Sequence, residues 1–152
     1  MKYVIDSNIL IDMKHFYPQI FTSFWNKMNE LIASNEMISV KEAYNELTSR
    51  NDFISKWAEE NELIFATPNA DEYTTVTEIM TKHKELVKNE SINGGRAVAD
   101  PFLIAKAKAT NSILITNETL TPNAHKIPNI CDEYKIRVMN LEEFMSNEGW
   151  QF

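Results

Sequence analysis

The chain has 152 residues, 43% of them hydrophobic, 24% charged and 11% aromatic, which is enough apolar material for one globular domain with its own core. Three glycines exclude a phosphate-cradling P-loop and a G-x-G-x-x-G nucleotide fold, and a single cysteine, Cys131, excludes an internal disulfide and a thiolate metal knuckle. A net charge of −7, from 22 acids and 15 bases, argues against general attraction to a nucleic acid backbone unless clustered carboxylates recruit a divalent cation that inverts the local charge.

No apolar run approaches membrane length, and the opening MKYVIDSN has neither a basic nor an apolar signal segment, so the expectation is a cytoplasmic protein without a membrane span. Tyr3-Val4-Ile5 followed by Asp6-Ser7-Asn8 reads as a buried parallel strand with Asp6 at its tip. After Pro18, the apolar positions Ile20, Phe21, Phe24, Trp25, Met28, Leu31 and Ile32 recur at helical spacing to about Ala33. Met37-Ile38 reads as a short link, and Ser39 to Glu42 as a capping box that opens a helix carrying Ala43, Glu46 and Leu47. Phe53 to Glu60 reads as a second short helix, Leu63-Ile64-Phe65 as a strand, and Asp71 to Val87 as a helix with Val76, Ile79, Met80 and His83 on one face. Lys88 to Arg96, containing Gly94-Gly95, lacks periodicity and reads as a mobile loop.

Asp100-Pro101 reads as an N-cap followed by proline at the first helical position, with the helix running to about Thr110. Ser112 to Thr116 is the clearest strand, Ile136 to Met139 is the last one, and Asn140 to Glu143 caps a short helix before Gly149. Trp25 and Trp57 read as core, and the terminal Trp150 as folded back on it. Strands alternating with helices predict an α/β fold, a three-layer α/β/α sandwich with a mainly parallel sheet, spanning 1–152 as one domain.

In such a sheet, ligands collect outside the carboxyl ends of the strands, which makes four acids informative: Asp6, Glu46, Asp100 and Glu118. Each alone also fits an ordinary role as a strand end, a solvated helix face, an N-cap or a loop residue. Together they form a set of oxygen ligands that would repel one another without a cation, and that set favours Mg²⁺ or Mn²⁺ over Zn²⁺. Glu42 competes with Glu46 for the helical position, and its place three residues after Ser39 assigns it to the cap instead. His15, His83 and His125 share no metal-ligand spacing, and no histidine near Ser7 in the sequence would activate it as a nucleophile.

The segments YVIDSNILID, SVKEAYNEL, ADPFLIAKA with SILITNE, and KIPNICDEYKIRVMNLEEFMSNEGW together resemble a bacterial family of small PIN-like proteins of originally unknown function (DUF4411-like). Through that family they resemble the PIN ribonucleases of VapC-type toxins, over essentially the whole chain. The resemblance implies a PIN-like α/β/α sandwich whose acids bind Mg²⁺ or Mn²⁺. Asp6, Glu46, Asp100 and Glu118 match the four acids, and Glu118 is one methylene longer than the usual aspartate. Ser7, Asn8, Thr116 and Asn117 are then supporting polar residues, and Arg96, Lys14 and Lys106 are phosphate-binding candidates.

The activity so implied is metal-dependent hydrolysis of RNA phosphodiesters, by the toxin of a toxin-antitoxin pair whose partner is a cognate antitoxin protein. A homodimer is left open. Two competing readings stand beside it. One is a catalytically degenerate PIN-like module acting through a protein partner, and the other is a metal-dependent phosphatase on a small substrate. An aspartyl-phosphate enzyme is disfavoured because position 8 is Asn where a second acid would be needed.

Overall fold

In the computed structural model, which describes residues 2–85 and 98–152, five short strands form one parallel sheet in the order β3-β2-β1-β4-β5. β1 (Tyr3–Ile5) lies at its centre, between β2 (Met37–Val40) and β4 (Ile113–Ile115), with β3 (Phe65–Ala66) and β5 (Val138–Met139) at the edges. All three β1 side chains are fully buried, as a central strand covered on both faces requires.

The strand order also decides which helices lie together. The connections from β1 to β2 and from β2 to β3 run toward one edge, whereas those from β3 to β4 and from β4 to β5 run toward the other. Right-handed crossovers therefore put the two groups on opposite faces. The first group contains α1 (Ser7–Asp12), a 3₁₀ turn (Met13–His15), α2 (Thr22–Ala33), α3 (Lys41–Thr48) and α4 (Phe53–Glu60). The second contains α5 (Ala70–Lys82), α6 (Asp100–Thr110) and α7 (Ile127–Glu133), and α8 (Leu141–Asn147) follows β5. The result is a three-layer α/β/α sandwich. Contacts agree with the assignment, since α6 packs on β1, β2 and β4 and also touches α5 and α7, while α1 meets α3 and α3 meets α4.

The aromatic core joins the first group to the end of the chain. Trp25 meets Trp57 with ring centroids 5.8 Å apart, and Trp150 folds back onto Phe144 at 5.2 Å and Phe24 at 5.7 Å. Among the described residues, no helix is long and apolar enough to cross a membrane.

Several local expectations change. Met37-Ile38 is part of β2 rather than a link, because the segment pairs with both β1 and β3. Ser39 does not cap α3; it lies in β2 and donates its hydroxyl to the Ile5 carbonyl at 2.7 Å, so Val40 precedes the helix and Glu42 has no cap to complete. Strand β3 starts at Phe65, since residues Glu62–Ile64 form a 3₁₀ turn. The helix read from Asp71 begins one residue earlier under a capping box from Asn69 and Glu72, and it ends at Lys82 with His83 as its C-cap. α7 is an element the sequence reading lacks. The expected loop at Lys88 to Arg96, with Gly94-Gly95, lies outside the described residues, as does the candidate Arg96.

The cap of α8 is as read: Asn140 accepts from the Glu143 amide at 2.8 Å, and Glu143 accepts in return from the Asn140 amide. Asn140→Ala should therefore cost about 1 kcal/mol, or roughly 2–4 °C in a thermal melt. A melt at or above that of the wild type would contradict the role of this cap.

Candidate active site

The strand order turns back at β1, so the crevice between the carboxyl ends of β1 and β4 is where a doubly wound sheet presents its ligands. Asp6 and Thr116 stand at those two ends. The Asp6 amide bonds the Ile115 carbonyl at 2.9 Å, which continues the β1–β4 pairing by one step and sets the carboxylate at the strand tip, only 4% exposed. Asp6 also precedes α1 as its N-cap residue, yet its side chain makes no capping bond. Its Oδ2 instead accepts the Thr116 hydroxyl at 2.8 Å.

Thr116 does more than hold Asp6. Its hydroxyl oxygen accepts the Glu118 amide at 3.2 Å and lies 3.4 Å from the Asn8 amide group, while Asn8 Oδ1 accepts the Asn117 amide at 3.3 Å. Asn117 then donates from its side chain to Asp12 on α1. One buried hydroxyl thus links Asp6 to the loop that carries Glu118. Thr116→Val keeps the shape and removes these bonds. It should weaken divalent-cation affinity about 10- to 100-fold, as loss of an orienting group around a metal ligand does. Calorimetric titration checks this, and an unchanged affinity would refute it.

Glu46 enters from α3, where it accepts the Ser7 hydroxyl. Glu118 reaches forward so that its Oε2 accepts the Ile127 amide, the first of α7, at 2.9 Å. That contact uses the longer glutamate arm and places its negative charge at the N-terminus of a helix. Asp100 is the first residue of α6, with Ala99 as the N-cap. It is not the cap read from the sequence, so its carboxylate is free of that duty, and no described residue donates a hydrogen bond to it.

The electrostatics show that the four acids feel one another. Burial, with repulsion from Glu118 and Glu46, pushes Asp6 up to about 6 despite the opposing Thr116 bond. Burial, with repulsion from Glu118, Asp6 and Glu46, pushes Asp100 up to about 8. The Cys131 thiol beneath them is raised to about 12 by burial and by Glu118 and Asp100, which keeps it inert.

Among the described residues, no three His, Cys, Asp or Glu side chains already surround one point. Asp6 accepts from Thr116 and Glu118 from the Ile127 amide, while the Ser7 hydroxyl bonds Glu46 and lies 3.4 Å from Asp6 Oδ1. The donor set is nonetheless hard oxygen only, buried at Asp6 and half-buried at Glu46, Asp100 and Glu118, and such a set fits a hard divalent cation of the Mg²⁺ class.

The other residues divide. Ser7, Asn8, Thr116 and Asn117 all lie in the hydrogen-bond network around the acids. Lys106 does not face them as a free cation; it is buried and bonded to Glu72 at 2.6 Å, tying α6 to α5. The signal for this was available, because ADPFLIAKAKAT has no polar face and a lysine inside a buried helix needs an acid. Lys14 lies half-buried on the 3₁₀ turn with no ion-pair partner among the described residues. Glu42 is not a member of the cluster: burial raises its carboxyl, and its Oε2 has no hydrogen-bond partner.

Two solved structures of VapBC proteins are similar to this chain. One is VapBC-1 from nontypeable Haemophilus influenzae, with TM-score 0.50 and 18% identity, covering 92% of this chain and 98% of that one. The other is VapBC2 from Rickettsia felis bound to a DNA fragment from their promoter, with TM-score 0.49, 15% identity and the same coverages. Comparison with curated proteins finds no match. The family described as a domain of unknown function, DUF4411, matches residues 3–152. With that match over nearly its whole length, and with a PIN-like sandwich as its fold, the chain belongs to the DUF4411 family.

Proposed function

We propose that this protein is a divalent-cation-dependent ribonuclease that hydrolyses RNA phosphodiesters, and that it is the toxin of a pair held in check by a cognate antitoxin protein. The observation that supports this reading is electrostatic: burial, with repulsion from Glu118 and Glu46, raises both Asp6 and Asp100 at the ends of their elements. The PIN-like fold, shared with a chain of the VapBC-1 complex, supports it.

Asp6 and Asp100 are the principal ligands in this reading, because both are short and fixed at the ends of elements. Glu46 and Glu118 complete the set. Bound Mg²⁺ or Mn²⁺ supplies neutralisation of phosphoryl charge and acidification of water, so no protein nucleophile is required. Ser7 holds Glu46, Thr116 holds Asp6, and Asn8 with Asn117 fixes the loop leading to Glu118. Lys14 stands two turns beyond Asp6 as a contact for substrate phosphate, and Arg96 remains a sequence-based candidate for the same role. Because the whole chain carries −7, substrate contact is local, and a structured RNA recognised by shape fits better than indiscriminate degradation.

The test expresses the wild type, Asp6→Asn and Glu46→Gln at matched soluble levels without a partner, following growth and RNA integrity. The wild type should slow growth and cleave RNA, and both amides should do neither. Equal toxicity from the amides, or neither toxicity nor cleavage by the wild type, would favour a partner-binding module instead.

A further inference from the structure

Outside the four acids, His83, His125 and Glu133 come together across the end of α5 and the two ends of α7. His125 and Glu133 are 42 and 50 residues from His83 in sequence, so no local spacing announces the group, in keeping with the lack of metal-ligand spacing among the histidines. His83, the C-cap of α5, is 6% exposed, whereas His125, just ahead of α7, and Glu133, its last residue, are exposed. His83 Nε2 lies 3.1 Å from Glu133 Oε2, and His83 Nδ1 lies 2.7 Å from His125 Nδ1. The two rings meet edge to face with centroids 5.0 Å apart.

The carboxylate decides the tautomer of the buried ring. An ionised carboxylate can only accept, so His83 Nε2 carries the hydrogen that faces Glu133. In the neutral ring the lone pair is then on Nδ1, aimed at the second imidazole. Two ring nitrogens facing each other at this distance need a positive centre between them, either a proton donated by His125 or a metal ion. A buried imidazole whose far N–H is fixed by a carboxylate is the arrangement that orients histidine toward a metal. The opposing ring sits on an exposed segment, so the site is open to solvent. The two nitrogens have to part by about 0.6 Å, from 2.7 Å to the roughly 3.3 Å that separates two nitrogens in tetrahedral coordination with bonds of about 2.0–2.1 Å.

We propose that His83 and His125 form a binding site for a borderline transition-metal cation of the Zn²⁺ class, made of residues other than the four acids, with Glu133 orienting His83. Imidazole nitrogen selects this class over Mg²⁺ and Mn²⁺. Among the described residues no third ligand converges on the pair, so water fills the remaining positions. On binding, His125 releases the Nδ1 proton and takes one from solvent at its exposed Nε2, so both Nδ1 lone pairs face the ion and no net proton is lost. The ion ties the end of α5 to the segment entering α7, the helix whose first amide Glu118 holds. The proposal does not depend on the ribonuclease reading.

The test is a calorimetric titration of Zn²⁺ into the full chain in millimolar Mg²⁺, with ¹⁵N spectra of the histidine rings. The wild type should take up one Zn²⁺ and shift both Nδ1 resonances. His125→Gln, at an exposed position that leaves the fold intact, should weaken uptake at least about tenfold, and Glu133→Gln about 10- to 100-fold. Asp6→Asn should leave uptake unchanged. No uptake by the wild type, uptake unaffected by His125→Gln, or uptake lost in Asp6→Asn would each overturn the site and leave a hydrogen-bonded pair.

Discussion

Asp6→Asn is expected to lower cation-supported RNA hydrolysis by about 10³-fold or more while raising the melting temperature of the metal-free protein. Charge stabilisation by a bound cation is worth several kcal/mol, and at about 1.4 kcal/mol per tenfold in rate the loss of a principal ligand removes about three decades. The stability change has the opposite sign for a local reason. Asp6 is almost fully buried and repelled by Glu118 and Glu46, whereas an asparagine keeps an oxygen for the Thr116 hydroxyl and removes the charge. No helix cap is lost, because Asp6 makes no capping bond. Opposed changes in activity and stability are the mark of a site that sacrifices stability for function. A variant that melts lower and cleaves as fast as the wild type would make Asp6 a structural strand end.

In EDTA the melting temperature should fall as pH rises from about 4 to about 8. Asp6 and Asp100 have native values raised to about 6 and about 8, above their unfolded values. Through that window the native state holds more protons than the unfolded chain, so stability declines with rising pH. Each pH unit between the unfolded and native values is worth about 1.4 kcal/mol. At roughly 2–4 °C per kcal/mol in a chain of this size, the fall should reach at least about 5 °C. Mg²⁺ should reverse it, since the cation binds ionised ligands in the native state and stabilises most where they are most ionised. A melting temperature flat or rising over this range in EDTA, or indifferent to millimolar Mg²⁺, would contradict a crowded carboxylate site.

What the sequence made legible follows from how local each signal is. YVI ending in Asp6, SILIT ending in Thr116 and the Asn140 cap are set by a few adjacent residues, and each appears in place. Met37 to Val40 reads as a link because its identity as a strand depends on the neighbours β1 and β3, which lie far away in sequence. Ser39 followed by Glu42 has the pattern of a capping box, but a carbonyl of the central strand captured the hydroxyl first. Asp100 was placed one position too early for a similar reason, since a cap and a first helical residue before proline share the same letters.

At the candidate site, Asp6 and Asp100 stand at element ends and Glu118 just beyond β4, where the sequence places them, whereas Glu46 lies inside α3. Their partners were not legible: Glu118 to Ile127, Asn117 to Asp12, and His83 to His125 are tertiary contacts with no periodicity to betray them. Lys106 is instructive in the other direction. As a letter it resembles a phosphate contact, but the apolar helix around it calls for a buried acid partner, and Glu72 supplies one.

The proposed cation site at the β1–β4 crevice rests on the two aspartates. Calorimetric titration of Mn²⁺ into the wild type, Asp6→Asn and Asp100→Asn tests it most directly. The wild type should bind saturably and both variants should not, with all three proteins folded; wild-type affinity in both variants would rule the site out.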